Sequence, residues 1–154
     1  MEIVHSDVCG LMQIPSFARN KYVLTFIDDY TRKTWVYVLK QKSEVFEKFR
    51  HFKTIVEKQC GHYIKVLRTD RGGEYISKDF LHFSRENGIQ KKFTVRYTPQ
   101  QNGVVERKNR PIIDIVRSML KAKHFPNEYW EKLVNCASYI LNRFPSKDIM
   151  NRFP

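Results

Sequence analysis

Apolar residues recur along this chain at two periods, and the period switches as the chain proceeds. Residues 1–9 form a short strand-like run around Ile3, Val4 and Val8. Gly10 to Asn20 contains Gly, Pro, Ser and Asn and reads as a turn or loop. Tyr22 to Asp28 (YVLTFID) and Thr34 to Leu39 (TWVYVL) are rich in β-branched and aromatic residues and predict two further strands. Asp29-Tyr30-Thr31-Arg32 supplies the turn between them. Three strands in succession predict an antiparallel meander.

The period then becomes helical. Val45, Phe46, Phe49, Phe52, Ile55 and Val56 line one face of a helix that Gly61 ends. Ser43 is the expected N-cap, although Phe46 occupies the position where a capping box needs an acid. Glu44 and Glu47 lie early, where the helix dipole favours them. His62 to Thr69 predicts a fourth strand ending at Asp70, and Arg71-Gly72-Gly73 a turn. Ser77 to Asn87 predicts a short helix around Phe80, Leu81 and Phe83, closed by Gly88. Ile89 to Phe93 reads as a fifth strand and Val95 to Asn102 as a loop. Two helices follow: Gly103 to Lys123, with Val105, Ile112, Ile113, Val116, Met119 and Leu120, and Asn127 to Phe144, with Trp130, Leu133, Val134, Ala137, Ile140 and Leu141. These stripes read as core packing. The order βββαβαβαα implies one α/β domain with a mixed sheet and helices on both faces.

Composition narrows the partners. The 154 residues suit a single domain, and 42% hydrophobic content supports a packed core. A formal net charge of +12 points to a polyanion, nucleic acid before an anionic membrane surface. No apolar run approaches a membrane span, and no signal peptide opens the chain. Cys9, Cys60 and Cys136 are scattered, as expected of free thiols in a reducing compartment. Nothing near Cys60-Gly61-His62 completes a zinc site.

Three acids then change the picture. Asp7 lies near the end of the first strand, Asp70 follows the fourth, and Glu106 sits early in a helix, with 35 residues between it and Asp70. Metal-dependent phosphoryl transfer needs carboxylates that hold two ions about 3.5–4 Å apart, and Mg²⁺ favours such oxygen ligands. The three acids fit if the first and fourth strands are neighbours and the Glu106 helix crosses their ends. Sixteen acids make many such triples, and most acids are solvated surface groups. Glu74 is the rival third acid, with a surface or helix-entry acid as its alternative reading. Asp28 and Asp29 sit at a strand–turn junction and read as turn residues.

At HSDVCG, YVLTFIDDYTRKTWVY, LRTDRGGEY, TPQQNGVVERKNR and W…NCASYILNR, the sequence resembles the integrase catalytic core of copia-type LTR retrotransposons, within the retroviral integrase and DDE-transposase superfamily. The gap from Asp70 to Glu106 is similar to that family's D,D-35-E spacing. The resemblance implies an RNase H-like fold with a five-stranded mixed sheet. It implies that Asp7, Asp70 and Glu106 bind two Mg²⁺ or Mn²⁺, with Asp7 bridging. The implied reaction is cleavage of cDNA ends by water, then attack of the 3′-hydroxyl on target DNA, without a covalent enzyme intermediate. It also implies a homodimer or larger multimer, and the nucleus as place of action, with a cytoplasmic particle as the other compartment. A plain RNase H-type hydrolase is disfavoured by the 35-residue spacing.

Basic residues flank the acids. Lys91, Lys92, Arg96, Arg107, Lys108 and Arg110 face a single acid, Glu106, within twenty residues. Such a run is usually a solvated face; beside these acids it favours phosphate contact. Arg110 is one turn beyond Glu106 and shares its face. Gln100, Gln101 and Asn102 are expected on the preceding loop, with amides free for bases or phosphates and Gly103 giving the loop freedom to move. Arg71 is a further candidate phosphate contact. Against the family pattern, Pro111 stands where a residue such as Thr is usual, Leu11 where proline is usual, and Ala18 where glycine is common. Pro111 should either strain or break the helix that carries Glu106. The family's zinc-binding segment and C-terminal DNA-binding region do not fall within the 154 residues, so a stand-alone core is expected. The alternative function is a catalytically impaired remnant that binds nucleic acid or a protein partner.

Overall fold

The computed structural model describes residues 2–10, 14–93 and 99–144, with side chains throughout except at 99–108. β1 (Ile3–Gly10), β2 (Tyr22–Asp28) and β3 (Thr34–Leu39) form the expected antiparallel meander. β4 (Val66–Thr69) lies parallel to β1 on its other side, and β5 (Gln90–Phe93) lies parallel to β4. The sheet order is β3-β2-β1-β4-β5, a five-stranded mixed sheet with β1 at its centre.

Each face of the sheet carries its own core. On one, α1 (Val45–Cys60) and α2 (Lys78–Glu86) bring Phe49, Phe52 and Phe80 against Val4, Leu24 and Phe26. The Phe26 and Phe52 rings stack there at 4.3 Å. On the other, α3 (Pro99–Ala122) and α4 (Trp130–Leu141) bring Ile112, Val116, Leu120 and Trp130 against Val23 and Cys9. The apolar stripes therefore serve as core, one helix pair to each face.

The element ends differ from expectation for local reasons. A 3-10 turn at Lys42–Glu44 precedes α1, so Ser43 is not the cap. Glu44 instead accepts the N–H groups of Lys40 and Gln41 at 2.9 and 2.8 Å, supplying the acid that a Ser43 cap would lack. Gly61 ends α1 at φ +66°, a conformation glycine adopts without a Cβ penalty. β4 starts at Val66 rather than His62, because the Ile64 N–H is taken by the Glu57 carboxylate at 2.9 Å instead of a neighbouring strand. Ser77 does cap α2, its hydroxyl accepting the Phe80 N–H at 3.3 Å. α4 is shorter than expected, with Asn127–Tyr129 forming a 3-10 turn before it.

α3 departs most. It begins at Pro99, not Gly103, because proline's fixed φ and missing donor suit the first helical position. Gln100, Gln101 and Asn102 therefore lie in its first turns rather than on a loop, and Gly103 is a helical residue rather than a loop hinge. Residues 94–98 of the expected loop, Arg96 among them, lie outside the described residues. α3 also runs unbroken through Pro111. Ile112, Val116 and Leu120, all buried, follow it. Each such side chain contributes about 1.5–3 kcal/mol on burial, and together they outweigh the roughly 3 kcal/mol that an internal proline costs. Among the described residues, no helix is long and apolar enough to cross a membrane.

Candidate active site

The β1–β4 register matches Ile3 with Val66, Val4 with Leu67 and His5 with Arg68. Carried two residues further, that register brings Asp7 abreast of Asp70, the residue following β4. β4 thus ends beside Asp7 of the longer β1, with Asp70 just past its carboxyl end, where α/β sheets place their ligands. β1 alternates: Val4 packs into the α1–α2 core, while Cys9 packs into the α3–α4 core. Asp7, two residues before Cys9, faces α3 with it.

The α3 contact is specific. Asn109 donates from Nδ2 to Asp7 Oδ2 at 2.9 Å, across 102 residues of sequence. Glu106 belongs to the same helix, three residues earlier, so the backbone carries it one turn from the group that holds Asp7. The side chain of Glu106 lies outside the described residues, as do those of Gln100, Gln101, Asn102, Arg107 and Lys108. Asn109 is almost fully buried, and its Oδ1 has no hydrogen-bond partner beside the acids. Sequence reasoning passed over Asn109; its place three residues after Glu106 was the available signal.

Electrostatics single out Asp7. Burial pushes its carboxyl above the usual carboxylate range, and the Asp70 charge adds to the shift, with Glu74 a smaller contributor. The Asn109 amide and the Val8 N–H oppose it. Asp70 is exposed, and its Oδ1 accepts the Gly72 N–H at 3.0 Å. Glu74 is not a surface acid: its side chain is only 7% exposed and lies 3.6 Å from Lys42 Nζ. Its carboxylate occupies the space beside Gly72, where an added Cβ would sit 2.7 Å from Glu74 Cδ and the Glu74 side chain would have to shift. Burial pushes the Cys9 thiol up to about 12, and the Asp7 charge adds to it, so Cys9 stays protonated.

These donors suit a hard divalent cation. Asp7 and Asp70 supply carboxylate oxygens, and their mutual repulsion is what a cation would relieve. The orphaned Asn109 Oδ1 adds an acceptor for a metal-bound water.

The basic residues separate into two groups. Arg71, Lys92 and Arg110 are exposed. Lys91 is not available in the same way: its ammonium donates to the Tyr75 carbonyl and lies 3.9 Å from the Phe80 ring centroid. Burial brings its pKa down to about 8. Asp28 and Asp29 serve the turn, as the sequence suggests. Asp28 Oδ2 accepts from the Thr31 N–H and hydroxyl at 3.0 and 2.7 Å. Asp29 Oδ1 meets His5 Nε2 at 2.6 Å and Arg32 at 3.3 Å.

A central strand flanked by one antiparallel and one parallel neighbour, with one acid within β1, another just past β4 and a helix crossing toward them, is the RNase H-like arrangement. Solved structures share it. The HTLV-2 integrase catalytic core in complex with magnesium superimposes with TM-score 0.67 at 21% identity, covering 97% of this chain and 88% of that one. A simian T-cell lymphotropic virus intasome in complex with the PP2A regulatory subunit B56 gamma gives TM-score 0.71 at 18% identity, covering 94% and 49%. Residues 1–99 match the integrase core domain family, and the chain belongs to it, on the copia-type LTR-retrotransposon side. It is 47% identical over all 154 residues to the retrovirus-related Pol polyprotein from transposon TNT 1-94 of Nicotiana tabacum, and spans 12% of that protein. It is 36% identical over 147 residues to the Pol polyprotein from transposon RE2 of Arabidopsis thaliana, covering 95% of this chain and 10% of that protein.

Proposed function

We propose that this chain is the catalytic core of a DNA integration reaction, a metal-dependent polynucleotidyl transfer on retrotransposon cDNA and target DNA. One observation carries the reading: Asp7 in β1 lies abreast of Asp70, just past the end of the parallel neighbour β4, and Asn109 ties Asp7 to the helix that bears Glu106. Asp7, Asp70 and Glu106 are the residues that would hold two Mg²⁺ or Mn²⁺ ions, which activate the attacking oxygen and stabilise the leaving 3′-oxygen. Asn109 fixes the orientation of Asp7 by occupying Oδ2. Arg71, Lys92 and Arg110 are exposed around the acids and bind phosphates, as would the other cations of the run, Arg96, Arg107 and Lys108. Gln100, Gln101 and Asn102 contact DNA from the start of α3. A homodimer or larger multimer acting in the nucleus completes the reading. Two proteins of similar fold, a magnesium-bound integrase core and an intasome, are consistent with it.

A second reading, a remnant that retains binding without catalysis, draws on Pro111, which sits five residues beyond Glu106 in α3. Disintegration of a branched DNA substrate with Mn²⁺ separates the two. The core reading predicts cleavage and resealing by the wild-type chain and none by Asp70→Asn. Activity that survives Asp70→Asn would refute the metal-site assignment. Activity that appears only in Pro111→Thr would establish the remnant.

A further inference from the structure

The turn that follows Asp70 is held by three residues from outside it. Tyr75 is fully buried, and its hydroxyl and the Ser6 hydroxyl share a buried hydrogen bond at 2.8 Å. Ser6 immediately precedes Asp7. Lys91, on β5, donates its ammonium to the Tyr75 carbonyl. Lys42, ahead of α1, lies 3.6 Å from the Glu74 carboxylate that packs over Gly72.

The two faces of the sheet divide the labour. Asp7 is held on the α3 face by Asn109, and its neighbour Ser6 is held on the opposite face by Tyr75. The Tyr75 ring packs against Phe80, as any core aromatic would. Its hydroxyl does something a phenylalanine ring cannot: it joins the segment carrying Asp70 to the strand carrying Asp7.

We infer that Tyr75 is a positioning residue for the metal-binding acids, its hydrogen bond to Ser6 setting the separation of Asp7 and Asp70, with Lys91 bracing Tyr75 from β5. This rests on the reading of Asp7 and Asp70 as metal ligands. Carboxylates that share ions tolerate little change in spacing, and groups behind the ligands commonly govern metal affinity. Lys91 thereby takes a role distinct from the exposed cations of its run.

The test is Mn²⁺ binding to the whole chain, followed by the loss of free Mn²⁺ signal in electron paramagnetic resonance, with thermal unfolding measured in parallel. The variants are Tyr75→Phe, Ser6→Ala, their double variant and Asp70→Asn. Wild type should bind, and Asp70→Asn should lose binding. Tyr75→Phe and Ser6→Ala should each weaken the Mn²⁺ Kd by about 10-fold, and the double variant no more than the worse single one, since both remove one bond. A purely structural tyrosine would lower Tm and leave Kd unchanged. Wild-type Kd in Tyr75→Phe, alongside lost binding in Asp70→Asn, overturns the inference alone. Should Tyr75→Phe fail to fold, Ser6→Ala, which keeps the ring, decides by the same comparison. No Mn²⁺ binding by wild type, or unchanged binding by Asp70→Asn, removes the metal-site reading and this inference with it.

Discussion

Asp7 is held between opposing demands. Its strand buries it beside another acid, and both effects favour the protonated carboxyl. A carboxyl whose folded pKa is raised contributes most to stability at low pH, and that contribution is lost as pH rises through its folded value. Asp7→Asn, which keeps the shape and the Asn109 contact without the charge, should therefore raise Tm at neutral pH and lose that advantage below the ordinary carboxylate range. Calorimetry at the two pH values checks this. Adding Mg²⁺ should raise Tm in wild type and not in Asp7→Asn. Asn109→Ala should in turn weaken Mg²⁺ binding by about 10-fold, toward the low end for residues behind metal ligands, as titration calorimetry can read. Asp7 and Asp70 stood out in the sequence because one lies within an apolar strand-like run and the other directly follows one. Asn109 was not, because its partner lies 102 residues away and nothing local marks an asparagine that will be buried. The contacts of Lys91 were hidden for a related reason. Inside a basic run it looks solvated, yet β5 turns it onto Phe80 and the Tyr75 carbonyl.

At the scale of elements, strand existence and sheet type followed from sequence, since β-branched and aromatic runs with turns between them leave few alternatives. Boundaries did not, because they depend on side-chain partners such as Glu44 at the start of α1 and Glu57 ahead of β4. α3 shows how tertiary burial overrides a local signal. Pro111 removes one helical hydrogen bond, but the buried Ile112, Val116 and Leu120 hold the helix together across it. Pro111→Thr should therefore stabilise the protein, by up to about 3 kcal/mol. A urea unfolding midpoint that rises with unchanged m value would bear this out, and an unchanged midpoint would show that α3 has relaxed around the proline.

For the whole molecule, the proposed function together with a surplus charge of +12 predicts a DNA affinity dominated by phosphate contacts that falls steeply with salt. The exposure pattern makes this specific. Lys92→Ala and Arg110→Ala should each reduce the slope of log K against log salt by about 1. Lys91→Ala should leave the slope near the wild-type value, because that ammonium is already engaged by the fold. Fluorescence anisotropy with a duplex at several salt concentrations separates the two classes. Equal effects of all three would mean that Lys91 leaves Tyr75 when DNA binds.

The central claim is that the chain brings Asp7, Asp70 and Glu106 together around divalent metal. Anomalous diffraction from crystals soaked in Mn²⁺ tests it most directly. A peak is expected between the Asp7 and Asp70 carboxylates, within coordinating distance of Glu106. An ordered Glu106 turned away from those acids, or Mn²⁺ peaks only elsewhere on the surface, would contradict it.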